Sequence, residues 1–344
     1  MKQKSVGIRD IAKHAGVSTG PVDKVLNNRG GVSKATRDRI LLAIKELEYT
    51  PNILASRLKS SKKYFIAALL PEATDDVPYW EEHHRGIQEA TQDLSPFGFV
   101  IEIFNFDQND EISFSKQISA ILKKSYDGVF MVPVFLELTK RFITTLRQRK
   151  LPVIFFDTQL SYSNIPFIGQ HAADSGYLAA EIFSKCLPHE TDILIVTLTE
   201  EDDNHSHFRT RAEGFKSFFE ATNTKTLEYK NITSDKEIII TEVRQYLNTY
   251  PKIRGIFVVN GIQQIANIFP PTDNYIIIGY DLIQQNLASL KNGNIDFLIS
   301  QRPFSQAYQG IKLFYDILVK KESEIKTTYL PIDIVMKSNL KYYI

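Results

Sequence analysis

The sequence predicts a small all-α helix-turn-helix unit followed by a two-lobed α/β body with parallel sheets. Three observations predict this. Charge is unevenly placed: residues 1–63 hold 14 Lys and Arg against 5 Asp and Glu, while the remainder holds 27 against 35. Apolar residues in the basic segment recur at helical spacing, with glycine and serine where helices stop and start. After Lys63, short apolar runs alternate with helical stretches, the pattern of parallel strands joined by helices. A chain of 344 residues also exceeds what one hydrophobic core usually supports, so the body is expected to divide in two.

The basic segment reads as follows. Ile8, Ile11, Ala12 and Ala15 form one face of a first helix. Gly16 is a natural stop because glycine tolerates positive φ. Ser18 stands where an N-cap would accept an orphan backbone N–H. Pro21 falls in the first turn of the second helix, where a missing N–H costs little. Val22, Val25 and Leu26 supply its apolar face. Asn27–Gly31 is a loop, and Ser33 caps a third helix with apolar positions Ile40, Leu41, Ile44 and Leu47. Tyr49-Thr50-Pro51 ends it. Two short helices joined by a tight glycine turn form the helix-turn-helix, whose second helix enters the DNA major groove. The positive charge suits a polyanion.

In the body, strands are expected at Phe65–Leu70, Phe99–Phe104, Gly128–Val132, Val153–Phe156, Asp192–Leu198, Thr226–Tyr229, Gly255–Val259, Tyr275–Gly279 and Asp296–Ser300. Helices are expected at Tyr79–Leu94, Ile112–Lys124, Ala172–Leu187, Arg209–Thr222 and Phe304–Lys320. Ligands in such sheets bind outside the carboxyl ends of the strands.

Other chemistries find no support in the residues. One cysteine, Cys186, excludes an internal disulfide framework and a multi-cysteine zinc site. No apolar run approaches the roughly 20 residues that span a bilayer. Met1–Asp10 is basic and polar without a secretory h-region, so a cytoplasmic location is expected. No phosphate loop, dinucleotide turn, nucleophile elbow or zinc-protease helix occurs, so neither enzyme nor cofactor is expected. Glu200–Asp203 with His205 and His207 reads as a solvated loop. His83 and His84, adjacent on a helix, read as surface.

Residues Val6–Leu58 closely resemble the DNA headpiece of the lactose-repressor (LacI/GalR) family. The matching pieces are Ile8-Arg9-Asp10-Ile11-Ala12, Ala15-Gly16-Val17-Ser18, Val25-Leu26-Asn27, Val32-Ser33, Thr36-Arg37 and Leu47-Glu48-Tyr49-Thr50-Pro51-Asn52. The resemblance implies base reading by Thr19, Gly20 and Lys24, and phosphate or sugar contacts by Ser18, Asn27 and Ser33. It also implies a hinge helix in Asn52–Leu58, with Ala55 at the helix–helix contact of a dimer and Leu58 wedged into the minor groove. The chain departs from the family at Asp23-Lys24, where Ser-Arg is usual, and Gly20 offers no side chain to a base. The expected organisation is a headpiece at 1–50, hinge helix and linker at 51–63, and a body at 64–344.

The body resembles the periplasmic-binding-protein-like, sugar-sensing domain of the same family. Its best pieces are Arg209-Thr210-Arg211-Ala212-Glu213-Gly214-Phe215, Ile277-Ile278-Gly279-Tyr280-Asp281 and Ile299-Ser300-Gln301-Arg302-Pro303. The resemblance implies lobe crossovers near residues 168, 302 and 326. It implies ligand contacts at Asp157, Arg211, Asn260, Asp281 and Gln301, all but Arg211 at strand carboxyl ends. Tyr79 and Trp80 are candidates for stacking on sugar C–H faces. Carboxylates, amides and guanidinium suit vicinal hydroxyls. The expectation is a homodimeric regulator of a two-fold symmetric double-stranded operator, most simply a repressor, controlled by a small carbohydrate. A phosphosugar or purine effector stays open; a sugar receptor or sugar-modifying enzyme is the weaker alternative.

Overall fold

The computed structural model describes residues 6–26, 30–47, 49, 62–75, 78–160, 164–188, 190–198, 206–222, 224–231, 235–270 and 274–344. Internal contacts divide the chain into two units, Met1–Lys62 and Lys63–Ile344.

The first unit contains α1 (Ile8–His14), α2 (Thr19–Leu26) and α3 (Lys34–Glu46). Ile11, Ala12, Ala15, Val22, Val25, Ile40 and Ala43 form its core. Gly16 takes φ +61, the left-handed stop that lets α2 turn away from α1. Ser33 caps α3, its Oγ accepting the Thr36 N–H at 3.3 Å. One apolar position differs from the sequence pattern. Leu41 is 48% exposed, and Ala43 is buried instead. Positions 40, 43, 44 and 47 follow the helical i, i+3, i+4, i+7 stripe, and 41 falls about 100° off it. His14 Nε2 meets Glu46 Oε2 at 2.6 Å and joins α1 to the end of α3.

The second unit has two six-stranded sheets of matching topology. The first runs, edge to edge, through the strands at 328–329, 167–169, 153–156, 128–131, 64–71 and 99–106, and the second through those at 333–335, 297–300, 276–280, 253–258, 192–197 and 226–230. The first lobe uses β1 (Tyr64–Pro71), α4 (Tyr79–Leu94), β2 (Phe99–Phe106), α5 (Glu111–Leu122), β3 (Gly128–Met131), α6 (Leu136–Gln148), β4 (Val153–Phe156) and β5 (Phe167–Gly169). The second uses α7 (Ala172–Cys186), β6 (Asp192–Thr197), α8 (Ser206–Phe219), β7 (Thr226–Lys230), α9 (Lys236–Thr249), β8 (Ile253–Val258), β9 (Ile276–Tyr280), α10 (Gln284–Asn292) and β10 (Phe297–Ser300). The chain then returns to the first lobe for α11 (Pro303–Tyr315), whose last residues continue as a π-helical turn, Asp316–Lys320, and for β11 (Thr328–Tyr329). It ends in the second lobe with β12 (Asp333–Val335), which pairs antiparallel with β10. All other strand pairs are parallel.

The chain therefore passes between lobes three times: after β5, after β10, and between β11 and β12. The last passage lies at residues 330–332, a few positions beyond the expected 326. One side chain ties all three passages. Gln170 Nε2 donates to the Ser300 carbonyl at 2.6 Å and reaches the Pro331 carbonyl at 3.5 Å. Arg302 grips Asp333 through two bonds of 2.6 and 2.8 Å, joining the second passage to the third. β5, β11 and β12 were absent from the strands expected above, because they are only two or three residues long.

The inner strands are buried on both faces, as parallel sheets covered by helices require; β1 is buried at seven of its eight residues. In the second lobe α7 and α8 pack at glycines. A Cβ on Gly176 would fall on the carbonyl of Arg211, and one on Gly214 on the carbonyl of Ala173. Arg211 thus owes its position to a helix approach that only glycine permits. Gly176→Ala is expected to lower core stability by about 1–3 kcal/mol through overpacking. It should also weaken any ligand held by Arg211, and thermal unfolding with parallel ligand titration checks both.

Candidate functional site

The strand carboxyl ends of the two lobes bring together Tyr79, Asp157, Arg211, Asp281 and Gln301. Asp157 directly follows β4, Asp281 follows β9 and Gln301 follows β10. Both aspartates hold left-handed backbone, φ +62 and +75, and Arg302 beside Gln301 has φ +55. Non-glycine residues in this region cost about 1–3 kcal/mol each and cluster where function demands a geometry. Here the turn aims each carboxylate out of its sheet rather than along the next strand.

The site holds two hydrogen-bonded chains. Tyr79 Oη donates to Asp157 Oδ1 at 2.6 Å, and Thr158 Oγ1 donates to Asp157 Oδ2 at 3.1 Å. Arg211 Nη1 donates to the Val259 carbonyl at 2.9 Å and Nη2 to Gln301 Oε1 at 2.7 Å. Gln301 Nε2 donates in turn to Asp281 Oδ1 at 2.7 Å. The guanidinium lies over the Tyr280 ring, 3.8 Å from its centroid, and is 2% exposed. Its Nε is buried with no hydrogen-bond partner among the described protein atoms.

The electrostatics follow from enclosure. Burial pushes the Asp281 carboxyl up to about 6; Gln301 and Arg211 pull against this, and the Asp157 carboxylate adds to it. Burial likewise raises Asp157, opposed by Tyr79, Arg211 and Thr158. Burial raises the Tyr79 hydroxyl well above its ordinary value, helped by both carboxylates, so it stays a donor. Two carboxylates thus share one guanidinium in a poorly solvated cleft.

The aromatic residues sit differently from one another. Trp80 is 5% exposed, with Nε1 donating to Gln108 at 3.3 Å, and forms the wall behind Tyr79 rather than an open stacking face. His83, expected on the surface, is entirely buried, with its ring 5.0 Å from that of Tyr79 and 4.8 Å from that of Trp80. It lies one turn beyond Tyr79, on the same face of α4. Burial, with neighbouring His84, lowers its pKa to about 3, so it is neutral. Asn260 lends its amide to both backbone groups of Leu198, at 2.9 and 2.8 Å, and latches the end of β6 to that of β8. His207, expected in a solvated loop, lies in the first turn of α8 and meets Thr158 Oγ1 across the lobes at 3.4 Å. Thr158, His83 and Gln306 escape sequence reading, since nothing in their local pattern marks them.

In the first unit Ser18, Thr19, Gly20, Lys24 and Ser33 are all exposed, the first four around the start and outer face of α2. A side chain at Gly20 would meet nothing within 4 Å, so that face is open. Ser33 already uses its hydroxyl on Thr36. Asn27, Ala55 and Leu58 lie outside the described residues. Among the described residues there is no cluster of three or more metal-ligating side chains, and no helix long and apolar enough to cross a membrane.

A helix-turn-helix unit on a two-lobed α/β body, with polar groups converging between the lobes, defines a DNA-binding protein that senses a ligand. Comparison with known proteins agrees. Residues 7–52 match the lacI family of bacterial regulatory proteins, and residues 66–322 match a periplasmic binding protein domain. The ribose operon repressor of Halalkalibacterium halodurans is 30% identical over 289 residues, covering 80% of each chain. The transcriptional repressor PurR of Haemophilus influenzae is 30% identical over 218 residues, covering 62% of this chain and 60% of that protein. A crystal structure from Bacteroides fragilis, assigned to the LacI transcriptional regulators, superposes with TM-score 0.75 at 28% identity, covering 82% of this chain and all of that one. The chain belongs to the lacI family of bacterial regulatory proteins, and it is a transcriptional regulator.

Proposed function

We propose that the protein is a cytoplasmic, homodimeric repressor of a two-fold symmetric operator, and that a neutral carbohydrate bound between the lobes sets its operator affinity. The observation that carries the effector class is the pairing of two half-buried carboxylates, Asp157 and Asp281, with one guanidinium. Such a cleft accepts hydrogen bonds from vicinal hydroxyls and repels a phosphate or sugar acid. The relative that represses a ribose operon supports the same class. The effector acts by binding one lobe arrangement better than another, and linkage then makes sugar and operator change each other's affinity by one factor.

The DNA contacts remain those expected of Ser18, Thr19, Gly20, Lys24, Asn27 and Ser33, with Ala55 and Leu58 in the hinge. Leu58→Ala is expected to weaken specific operator binding by roughly tenfold or more while sugar binding stays unchanged, since it removes only the wedge that unstacks a base step. Equal operator affinity in the variant would remove that role. Thermal shift against monosaccharides, sugar acids, phosphosugars and purines tests the effector class. A ligand at about 100 times its dissociation constant stabilises the fold by about 2.7 kcal/mol. A monosaccharide hit supports the reading; a phosphosugar or purine hit alone refutes it.

A further inference from the structure

We propose that Gln306 is a positioning residue that locks the two halves of the cleft into one binding geometry. This rests on the reading of the cleft as a sugar site. Gln306 sits in the first turn of α11, is 1% exposed and is not itself placed to touch a ligand. Its Oε1 accepts the backbone N–H of Asp157 at 2.9 Å, and its Nε2 donates to the backbone carbonyl of Gln301 at 2.9 Å. The other acceptor for the Asp157 N–H, the Ile168 carbonyl, is more distant at 3.3 Å.

One amide therefore fixes two things. It holds the left-handed backbone that aims the Asp157 carboxylate at Tyr79 Oη. It also holds the backbone of Gln301, whose side chain sets both Arg211 and Asp281. The donor and acceptor ends of a single amide match these two needs, which no apolar or purely accepting side chain can do. A buried amide bonded at both its ends, supporting groups that touch ligand, is how a site keeps its angles.

The test uses full-length protein as wild type, Gln306→Leu and Gln306→Glu. Amide hydrogen exchange without ligand is read first. Exchange at the Asp157 N–H is expected to be at least tenfold faster in Gln306→Leu. It should stay slow in Gln306→Glu, whose carboxyl oxygen still accepts. Calorimetric titration with D-ribose, D-arabinose and D-galactose follows. A sugar that binds wild type should lose at least tenfold in Gln306→Leu and much less in Gln306→Glu, whose buried carboxyl stays protonated beside Asp157 and Asp281 and still donates to the Gln301 carbonyl. Unchanged Asp157 exchange in Gln306→Leu overturns the proposal. So does wild-type sugar affinity in Gln306→Leu, or equal loss of Asp157 protection in both variants, which would mark a merely structural glutamine. If no sugar binds wild type, the sugar reading falls, and the exchange result judges Gln306 alone.

Discussion

Arg211→Ala is expected to be the most damaging single substitution in the cleft, destabilising the core by about 3–5 kcal/mol, the cost of breaking a buried charge cluster by removing one partner. The guanidinium is 2% exposed, stacks on Tyr280 and donates to the Val259 carbonyl and to Gln301. It also offsets the carboxylates of Asp157 and Asp281, which burial already pushes toward protonation. Alanine leaves an acceptor on Gln301 and one on Val259 without their donor and removes the guanidinium that opposes protonation of both carboxylates. A loss of this size lowers the thermal midpoint by on the order of 10 °C in a domain this large. Arg211→Lys keeps the charge but not the planar fork, so it should recover part of the stability and little of the ligand affinity. A midpoint unmoved by Arg211→Ala would show that the cluster is solvated and that the cleft geometry drawn here is wrong.

The second large effect is expected at Asp281, and its sign depends on pH. The folded carboxyl titrates at about 6, above its unfolded value. The native state therefore holds the proton more tightly than the unfolded chain. This contribution to stability is fully present below the unfolded pKa of about 3.9 and is lost as pH rises to about 6. Asp281→Asn mimics the protonated form, so the variant should be more stable than wild type above pH 6 and lack this part of the pH profile. Ligand binding should move the other way. A hydroxyl bonded to a carboxylate is worth about 1.5–3 kcal/mol, so the variant should lose roughly ten- to a hundredfold in affinity. Wild-type affinity should fall below pH 6, and the variant should lose the part of that fall that Asp281 contributes. Asp281→Ala should abolish the effector response yet leave the protein folded and bound to DNA. A normal response in either variant would move the ligand away from β9.

What the sequence discloses, and what it hides, follows from the range of the interactions. The three headpiece helices are set by apolar spacing, a left-handed glycine and a serine cap, all within a few residues of one another. Even there, a two-residue error in the stripe put Leu41 where Ala43 belongs. The carboxylates after β4 and β9 stand out because a strongly apolar run ends in an aspartate. Gln306 does not stand out, because its meaning lies in an N–H 149 positions earlier. Gln170 gains its role from a carbonyl 130 positions later. His83 looks like surface beside His84 until α4 is docked and one of the pair must face inward. β5, β11 and β12 are too short to show a period, and β11 exists only as the partner of β5, far back in the chain.

The central claim is that a neutral sugar in the cleft and an operator on the headpiece are coupled. The most direct measurement is operator binding by full-length protein, followed by fluorescence anisotropy, with and without each sugar that shifts its melting temperature. The operator would be selected from random duplexes by the protein itself. Such coupling means that one neutral sugar changes operator affinity by at least tenfold, and that the operator changes the affinity for that sugar by the same factor. Operator binding indifferent to every sugar that occupies the cleft would contradict it.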